Sequence, residues 1–221
     1  MPDIKAIIWD FDGTIYRFDK AFTHACNVAA VKACMEQNDE IKFKEAMHMA
    51  ENSLAQYNFS GYELFQKYKI DEKLFHQNYH LHINETIINA CTHTHELLSN
   101  INIDMGIISH ASKEWIIRTL NHLGLSEFFK EQNILAFEDY NFAHKARETI
   151  SYEIMLDRLN ANPEHTLMVE DSYANLKGAK KAGLQTMYLH HAKPLTPQPD
   201  YIDKQYNNII ELIETEALHS S

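Results

Sequence analysis

Residues Ile4–Tyr16 read IKAIIWDFDGTIY, in which an apolar run ends abruptly in two aspartates and a glycine. The run is short and rich in isoleucine, which is typical of a buried strand. Side chains alternate along an extended chain, so Asp10 and Asp12 at the end of this strand point the same way. Gly13 then allows the backbone to turn sharply. Because such paired carboxylates can bind a hard cation, attack an electrophile and move protons, we interpret them as candidate catalytic residues.

The composition restricts the possible partners. The chain has 221 residues, of which 45% are hydrophobic, and this is enough for a globular domain with a small inserted module. Its formal net charge of -11 disfavours nucleic acid polymers, because proteins bind them mainly through Lys and Arg. An acidic protein can still carry a phosphate site that uses Mg²⁺, since the metal supplies positive charge locally.

The cysteines and the apolar runs indicate a compartment. Cys26, Cys34 and Cys91 form no C-x-x-C motif, and we interpret them as reduced thiols of a cytoplasmic protein. The first residues lack the basic segment and apolar core of a signal peptide. No stretch approaches the roughly 18 consecutive apolar residues of a membrane span. We therefore expect a cytoplasmic protein that does not cross the membrane.

The segment after the first strand has a helical pattern throughout. Asp19 and Asp71 stand where helices would begin, and their side chains are suitable N-caps. Apolar spacing predicts five helices and no strand: 19–36, 42–57, 61–68, a short helix that starts at 71 and includes 74–75, and 84–100. An all-helical block between one strand and an α/β pattern is interpreted as an insertion. We expect residues 17–90 to form a helical cap domain.

The remainder of the chain alternates between strands and helices. Ser112 and Gly124 are the predicted N-cap and C-terminal stop of one of these helices. Strands are expected over 104–108, 134–137, 166–169 and 185–189, and helices over 112–123, 148–160, 173–182 and 207–217. This order predicts an α/β fold, a Rossmann-like doubly wound parallel sheet with helices on both faces. Residues 1–16 and 91–221 would form this core domain.

Suitable polar groups follow three of the predicted strands. In open α/β sheets, ligands bind beyond the carboxyl ends of the strands. Asp10 stands at one such end, Ser109 follows the strand over 104–108, and Glu170 and Asp171 follow the strand over 166–169. The Ser109 hydroxyl, with backbone N–H groups near a helix start, is suited to hold an anion. The two acidic residues offer hard oxygen ligands for Mg²⁺, and a cation would relieve the repulsion between clustered carboxylates.

The D-x-D-G-T motif resembles the opening motif of the haloacid dehalogenase-like (HAD) hydrolase superfamily, most of whose members are Mg-dependent phosphatases. The segment MVEDSYANLKGAKKAGL, residues 168–184, resembles the acidic loop and following helix of the same superfamily. By this resemblance Ser109 is the residue that hydrogen-bonds the phosphoryl group, and Lys145 is the lysine that steadies the nucleophile and the phosphate. The chain departs from the family pattern at His110, where Asn is frequent, and around Lys145, where H-K-A replaces the usual Lys-Pro.

Within the superfamily, EDSYANL and HLGLSEFF are most similar to pyrimidine 5'-nucleotidase-type phosphatases, and the helical insertion is similar to their cap. The resemblance implies that Asp10 attacks phosphorus to form an aspartyl-phosphate, while Asp12 protonates the leaving oxygen and then activates water. It also implies Mg²⁺ bound by Asp10, the backbone carbonyl of Asp12 and Asp171, with Glu170 in or near the first coordination shell. The implied substrate is a small phosphorylated metabolite, with a nucleoside 5'-monophosphate as the leading candidate.

Three alternatives stay open from the sequence. A haloacid dehalogenase needs the nucleophile but not a second acid, so Asp12 disfavours it. A sugar-phosphate phosphatase or phosphomutase would share the same site. A non-catalytic binding module, suggested by the unusual sequence around Lys145, would show no Mg-dependent turnover. Tyr16, Arg17 and Phe18 border the catalytic loop and are candidates for contact with the leaving group, for core packing or for a hinge.

Overall fold

The computed structural model describes residues 4–57, 59–89, 92–216 and 218. The chain divides into two compact units. One comprises Met1–Arg17 and Asn89–Ser221 and is called the α/β unit here. The other comprises Phe18–Ile88 and is called the helical unit.

The α/β unit is built on a six-stranded sheet in which all paired strands are parallel, in the order β3-β2-β1-β4-β5-β6. The strands are β1 Ala6–Trp9, β2 Asp104–Ile108, β3 Ile134–Leu135, β4 Thr166–Glu170, β5 Gln185–Leu189 and β6 Lys204–Tyr206. Every residue of β1 is buried, as expected for the centre of a sheet covered on both faces. This arrangement confirms the predicted α/β fold with a parallel sheet.

Strand β6 was not predicted, and β3 is shorter than expected. The β6 sequence KQY has no apolar run, and its place is set by parallel pairing with β5, where Met187 lies opposite Lys204. The strand predicted over 134–137 ends at Leu135, because Phe137–Tyr140 turn into a 3-10 helix. The Asp139 carboxylate accepts the Ala136 N–H at 2.9 Å and closes that turn.

The helical unit contains four α-helices within its described residues. They are α1 Lys20–Met35, α2 Phe43–Tyr57, α3 Tyr62–Tyr68 and α4 Glu72–Tyr79. The two predicted N-caps are present, since the Asp19 side chain accepts the Phe22 N–H and the Asp71 side chain accepts the Leu74 N–H. A separate apolar core, formed by Ala30, Val31, Ala33, Cys34, Ile41, Ala46, Ala50, Leu64 and Phe75, stabilises this unit.

Within its described residues the α/β unit contains five further α-helices: α5 Thr92–Ser99, α6 Lys113–Leu123, α7 Ile150–Leu159, α8 Leu176–Lys181 and α9 Ile209–Thr215. Helix α6 begins and ends as predicted, with Ser112 as the N-cap and Gly124 at φ 69 as the C-cap. The single helix predicted over 84–100 is wrong in extent. The Asn84 side chain accepts the Thr86 N–H and closes a short 3-10 helix, and α5 begins later. Helix α8 likewise starts at Leu176 rather than at 173.

The register of the sheet brings three strand ends to one level. Trp9 at the end of β1 lies opposite Ile107 of β2 and Val169 of β4. The residues that follow β1, β2 and β4 therefore meet at the carboxyl edge of the sheet. The direction in which strands are added reverses between β1 and β4, and such a switch point is where open α/β sheets bind ligands.

Two observations bear on the predicted compartment. Cys34 is a buried free thiol, while Cys91 lies outside the described residues. Among the helices of the described residues, none has both the length and the apolar character needed to cross a membrane.

Candidate active site

Lys145 is almost completely buried, with 1% of its side chain exposed, and lies among the strand ends. Its Nζ donates to Asp10 Oδ1, to Glu170 Oε2 at 2.7 Å and to the backbone carbonyl of Ile108 at 3.3 Å. These contacts join the carboxyl ends of β1, β2 and β4. The lysine inferred from the family resemblance is thus placed next to both the predicted nucleophile and the acidic loop.

Three neighbours fix the backbone that carries Lys145. Helix α8 packs so closely that a Cβ atom on Gly178 would overlap the Lys145 carbonyl oxygen. The Tyr152 hydroxyl donates to the same carbonyl at 3.4 Å and to the Asn175 carbonyl at 3.0 Å. His110 Nε2 accepts the Lys145 N–H at 3.2 Å, which gives a structural role to the position that departs from the family pattern. The unusual H-K-A sequence therefore still delivers the ammonium group to the site.

Asp12 is held by two aromatic residues. Both the Tyr16 hydroxyl and Trp115 Nε1 donate to its Oδ1, the latter at 2.9 Å. Tyr16 is four residues away and was considered at the sequence level, whereas Trp115 is 103 residues away in the first turn of α6 and was missed. A tryptophan just after the Ser112 cap was the available signal. Its partner could not be inferred, because sequence spacing does not specify contacts between separate loops.

Ser109 follows β2 and is buried, with 2% of its surface exposed. Its Oγ accepts the Ala111 N–H at 3.0 Å, so the hydroxyl hydrogen is left to donate. The Tyr140 hydroxyl donates to the Ser109 carbonyl at 2.7 Å and holds this turn in place. Ser109 is therefore positioned as a hydrogen-bond donor at the same sheet edge as Asp10.

Asp10, Glu170 and Asp171 form an acidic cluster in which one oxygen from each lies within 4.8 Å of the others. Hard oxygen donors at this spacing suit Mg²⁺, which binds proteins through one or two carboxylates and keeps several waters. Gly13 has φ +89, and a Cβ atom there would overlap the Asp171 carboxylate. The glycine of the D-x-D-G-T motif thus makes room for the acidic loop.

Glu170 is engaged by protein donors on both of its oxygens. Oε1 accepts the Ser172 N–H at 3.0 Å, and Oε2 accepts from Asn175 Nδ2 at 3.2 Å in addition to Lys145. Asn175 is the N-cap residue of α8, so its contact with Glu170 ties the start of that helix to the end of β4.

The electrostatics of the cluster favour a cation. Burial, and next the neighbouring Glu170, raise the pKa of Asp10 to about 8. Burial and then Asp10 raise the pKa of Asp171 well above its ordinary value. Burial by itself would lower the pKa of Lys145, but Asp10 and Glu170 raise it well above the usual range, so this ammonium stays charged. The Lys145 ammonium pairs with two of the three carboxyl groups of the cluster, and a divalent cation would favour the ionised form of all three by relieving their repulsion.

The pKa of Asp12 is set by opposing influences. Burial raises it, while the hydrogen bonds from Tyr16 and Trp115 lower it, and the net direction is upward. A carboxyl group with a raised pKa holds its proton more readily, as a general acid requires. The site therefore combines a carboxylate beside an ammonium group, a second carboxyl group that can carry a proton, a hydroxyl donor and hard oxygen ligands.

Comparison of the sequence with known proteins identifies a family and a relative. A sequence model described as haloacid dehalogenase-like hydrolase matches residues 7–189. The chain is 26% identical over 226 residues to pyrophosphatase PpaX of Oceanobacillus iheyensis, covering 95% of this chain and 97% of that protein.

Solved structures share the fold. YfnB from Bacillus subtilis, described as an HAD hydrolase bound to magnesium, has a TM-score of 0.63 at 20% identity, covering 96% of this chain and 98% of that one. A Thermotoga maritima protein described as a β-phosphoglucomutase has a TM-score of 0.62 at 17% identity, covering 96% and 99%.

The match over residues 7–189 assigns the protein to a class. The chain belongs to the haloacid dehalogenase-like hydrolase family, and it is an enzyme, a hydrolase of the HAD superfamily.

Proposed function

We propose that this hydrolase is a Mg²⁺-dependent phosphatase that cleaves a small phosphate monoester through an aspartyl-phosphate intermediate. The observation that carries the proposal is the buried Lys145 ammonium, which bridges Asp10 and Glu170 at the carboxyl edge of the sheet. An ammonium group there can balance the charge of both the nucleophile and a phosphoryl group. The buried free thiol of Cys34 is consistent with the cytoplasm, where we place the enzyme.

The proposed hydrolysis has two chemical steps. First, an Asp10 carboxylate oxygen forms a bond to phosphorus, the bond to the leaving oxygen breaks, and Asp12 gives its proton to that oxygen. Second, a water oxygen bonds to phosphorus, its proton passes to Asp12, and the bond between Asp10 and phosphorus breaks. Ser109 and Lys145 donate hydrogen bonds to the phosphoryl oxygens in both steps.

The residues present fit Mg²⁺. We assign Asp10, Asp171 and the backbone carbonyl of Asp12 as ligands, with Glu170 in or beside the coordination shell. When bound, Mg²⁺ would neutralise charge on the phosphoryl oxygens and orient them. The acidic cluster supports this assignment, and so does the magnesium described for YfnB.

The leading substrate class is a nucleoside 5'-monophosphate, supported by the similarity of EDSYANL and HLGLSEFF to pyrimidine nucleotidases. Inorganic pyrophosphate is a second candidate, and the relative PpaX favours it. A sugar phosphate is the remaining class. The likeness to a protein described as a phosphoglucomutase makes product analysis necessary, because a mutase returns an isomer instead of free phosphate.

We further propose that the helical unit acts as a cap that selects the substrate and excludes water. The chain enters this unit at Phe18, six residues after Asp12, and leaves it at Ile88, before β2. The unit contains a cavity of about 230 Å³, lined by Phe18, Phe22, Thr23, Cys26, Leu54, Ser60 and Tyr79. Its mainly apolar lining suits an aromatic or apolar portion of a substrate.

The test is phosphate release from nucleoside monophosphates, sugar phosphates and pyrophosphate, with Mg²⁺ or with a chelator. We expect Mg-dependent turnover, and no turnover by Asp10→Asn, since an amide is nearly isosteric but a poor nucleophile. Brief incubation with ³²P-labelled substrate and acid quench should trap phosphate on the wild-type protein. Wild-type-like activity of Asp10→Asn would falsify the mechanism, and loss of substrate without free phosphate would identify a mutase.

A further inference from the structure

We propose that Trp115 and Tyr16 are positioning residues for the acid, holding Oδ1 of Asp12 so that proton transfer runs through Oδ2. The proposal rests on the proposed function, in which Asp12 protonates the leaving oxygen. Both the Tyr16 hydroxyl and Trp115 Nε1 donate to the same oxygen atom, the indole at 2.9 Å. Two donors on one oxygen leave the other oxygen of the carboxyl group to carry the proton.

The chemistry of the two donors gives the two Asp12 oxygens different roles, because Oδ1 accepts hydrogen bonds and Oδ2 carries the proton. An indole N–H donates and cannot accept, so Trp115 excludes a proton on the Asp12 lone pair that it occupies. The Tyr16 hydroxyl donates to the same atom. In the first step, the Oδ2 proton passes to the leaving oxygen as the bond from phosphorus to that oxygen breaks. In the second, the proton of the attacking water returns to Oδ2 as the bond from phosphorus to Asp10 breaks.

Two separate parts of the α/β unit build this arrangement. The loop after β1 is closed by bonds from the Thr14 and Ile15 N–H groups to the Phe11 carbonyl, and it returns Tyr16 beside Asp12. The Tyr16 ring packs edge-on against Phe11, with centroids 5.5 Å apart. Tyr16 is 2% exposed, so its hydroxyl has little freedom to turn away from the carboxylate.

Trp115 reaches the same oxygen from the start of α6. Its backbone N–H donates to the Ser112 side chain that caps the helix, and its side chain is 1% exposed. The indole is therefore fixed by packing as well as by the helix start. The contact ties the loop after β1 to the helix after β2, and an acid held from both sides loses little conformational freedom when the substrate reacts.

A second buried tryptophan, Trp9, provides a control for the effect of removing an indole N–H from the interior of the α/β unit. Trp9 is also buried in the α/β unit, and within the described residues its Nε1 has no hydrogen-bond partner. Trp9→Phe and Trp115→Phe make the same chemical change at buried sites, yet only the second removes a donor from Asp12.

The experiment compares two leaving groups. Wild type, Trp115→Phe, Tyr16→Phe, the double variant and Trp9→Phe are assayed with p-nitrophenyl phosphate and with the best alkyl phosphate of the substrate panel. A positioned acid contributes about 100- to 10,000-fold, so each single variant should lose about 10- to 100-fold in kcat for the alkyl ester. The loss should be several-fold smaller for the aryl ester, whose leaving oxygen needs less protonation, and KM should change little.

The double variant should approach Asp12→Asn in its ratio of aryl to alkyl turnover. Trp9→Phe should keep the wild-type ratio even if packing lowers both rates. Thermal melting identifies variants that fail to fold, and Tyr16→Phe, which loses a single oxygen atom, provides the test if Trp115→Phe unfolds. Equal losses for both esters would overturn the positioning proposal and leave the proposed function intact. A shift in the aryl-to-alkyl ratio that is as large in Trp9→Phe would do the same. Absence of wild-type turnover on the whole panel would instead overturn the proposed function, and this proposal with it.

Discussion

The carbonyl oxygen of Lys145 occupies the space that a side chain on Gly178 would need. A Cβ atom at Gly178 would overlap this oxygen and approach the Glu148 carbonyl at 2.9 Å. Both obstacles are backbone atoms, which cannot move aside as the end of a flexible side chain can. Helix α8 therefore supports the loop that delivers the ammonium group to Asp10.

Gly178→Ala should lower kcat by about 10- to 100-fold, because displacement of a catalytic group by about 1 Å can cost this much. Overpacking should also lower the free energy of unfolding by about 1–3 kcal/mol, which exceeds the gain in helix propensity. Steady-state kinetics and urea denaturation measure the two effects. Gly124→Ala is the control, since it has open space around it at φ +69. It should lose stability while keeping kcat, and similar kinetics for both variants would contradict the proposed support.

Removal of the buried ammonium should damage the chemistry more than the fold. Lys145→Met should reduce kcat by about 100- to 1000-fold, the range for loss of one preorganised donor to a developing charge. Lys180→Met is a matched control, because Lys180 also pairs with a carboxylate, Asp203, at 2.6 Å but is partly exposed. Stopped-flow or steady-state phosphate release provides the measurement. A comparable kcat for the two variants would remove Lys145 from the mechanism.

Mg²⁺ should stabilise the protein through the acidic cluster. At about 100 times Kd, a cation bound only by the folded state adds about 2.7 kcal/mol, which corresponds to about 5–10 °C in Tm for a chain of this size. Asp171→Asn should reduce this shift, and a chelator should abolish it. Asp203→Asn makes the same change outside the cluster and should keep the shift. Differential scanning fluorimetry without any shift for wild type would rule out the metal assignment.

Asp203 should contribute stability that depends on pH. Burial raises its pKa, but hydrogen bonds from Lys180 and Thr186 bring the pKa below its ordinary value. Such a carboxyl group stabilises the folded state at pH values above its pKa in the unfolded chain, which is about 3.9. This stabilisation is lost as the pH falls through the lower pKa that the group has in the folded protein. Because the pair is partly exposed, Asp203→Asn should cost less than about 1 kcal/mol near pH 7. Urea titrations should show a difference from wild type that is constant down to about pH 5 and shrinks below about pH 4. If the stability difference between wild type and Asp203→Asn grew as the pH fell, the pKa of Asp203 would not be lowered by folding.

The cavity of the helical unit offers a test of substrate selection. Leu54→Phe fills part of this cavity and should change relative kcat/KM among phosphate esters, while acetyl phosphate should be hydrolysed at nearly the wild-type rate. Leu74→Phe makes the same substitution at an exposed position of the same unit and should leave the preferences unchanged. If Leu54→Phe depresses every substrate equally, the cavity has a structural role and the nucleotide proposal loses support.

Several features of the fold follow from short-range chemistry and were predictable from the sequence. Asp19, Asp71 and Ser112 cap helices by accepting an N–H three residues ahead, and Gly124 ends α6 because it adopts a positive φ. The strands β2 and β5 are apolar runs whose limits match the prediction. In each case the deciding partner lies within a few residues. The strand β6 was missed because its sequence has no such signal and pairing with β5 defines it.

In the candidate site, too, short-range features were predictable from the sequence and long-range contacts were not. The motif around Asp10 and Asp12 indicated the chemistry, because the residue types and their spacing restrict what such a loop can do. Contacts across 103 and 135 residues, from Trp115 to Asp12 and from Lys145 to Asp10, depend on how the loops meet at the sheet edge. The tertiary structure alone decided these partners, since it brings the start of α6, with Trp115, and the loop before α7, with Lys145, to the aspartates of the first motif. Sequence separation carries no information about either contact.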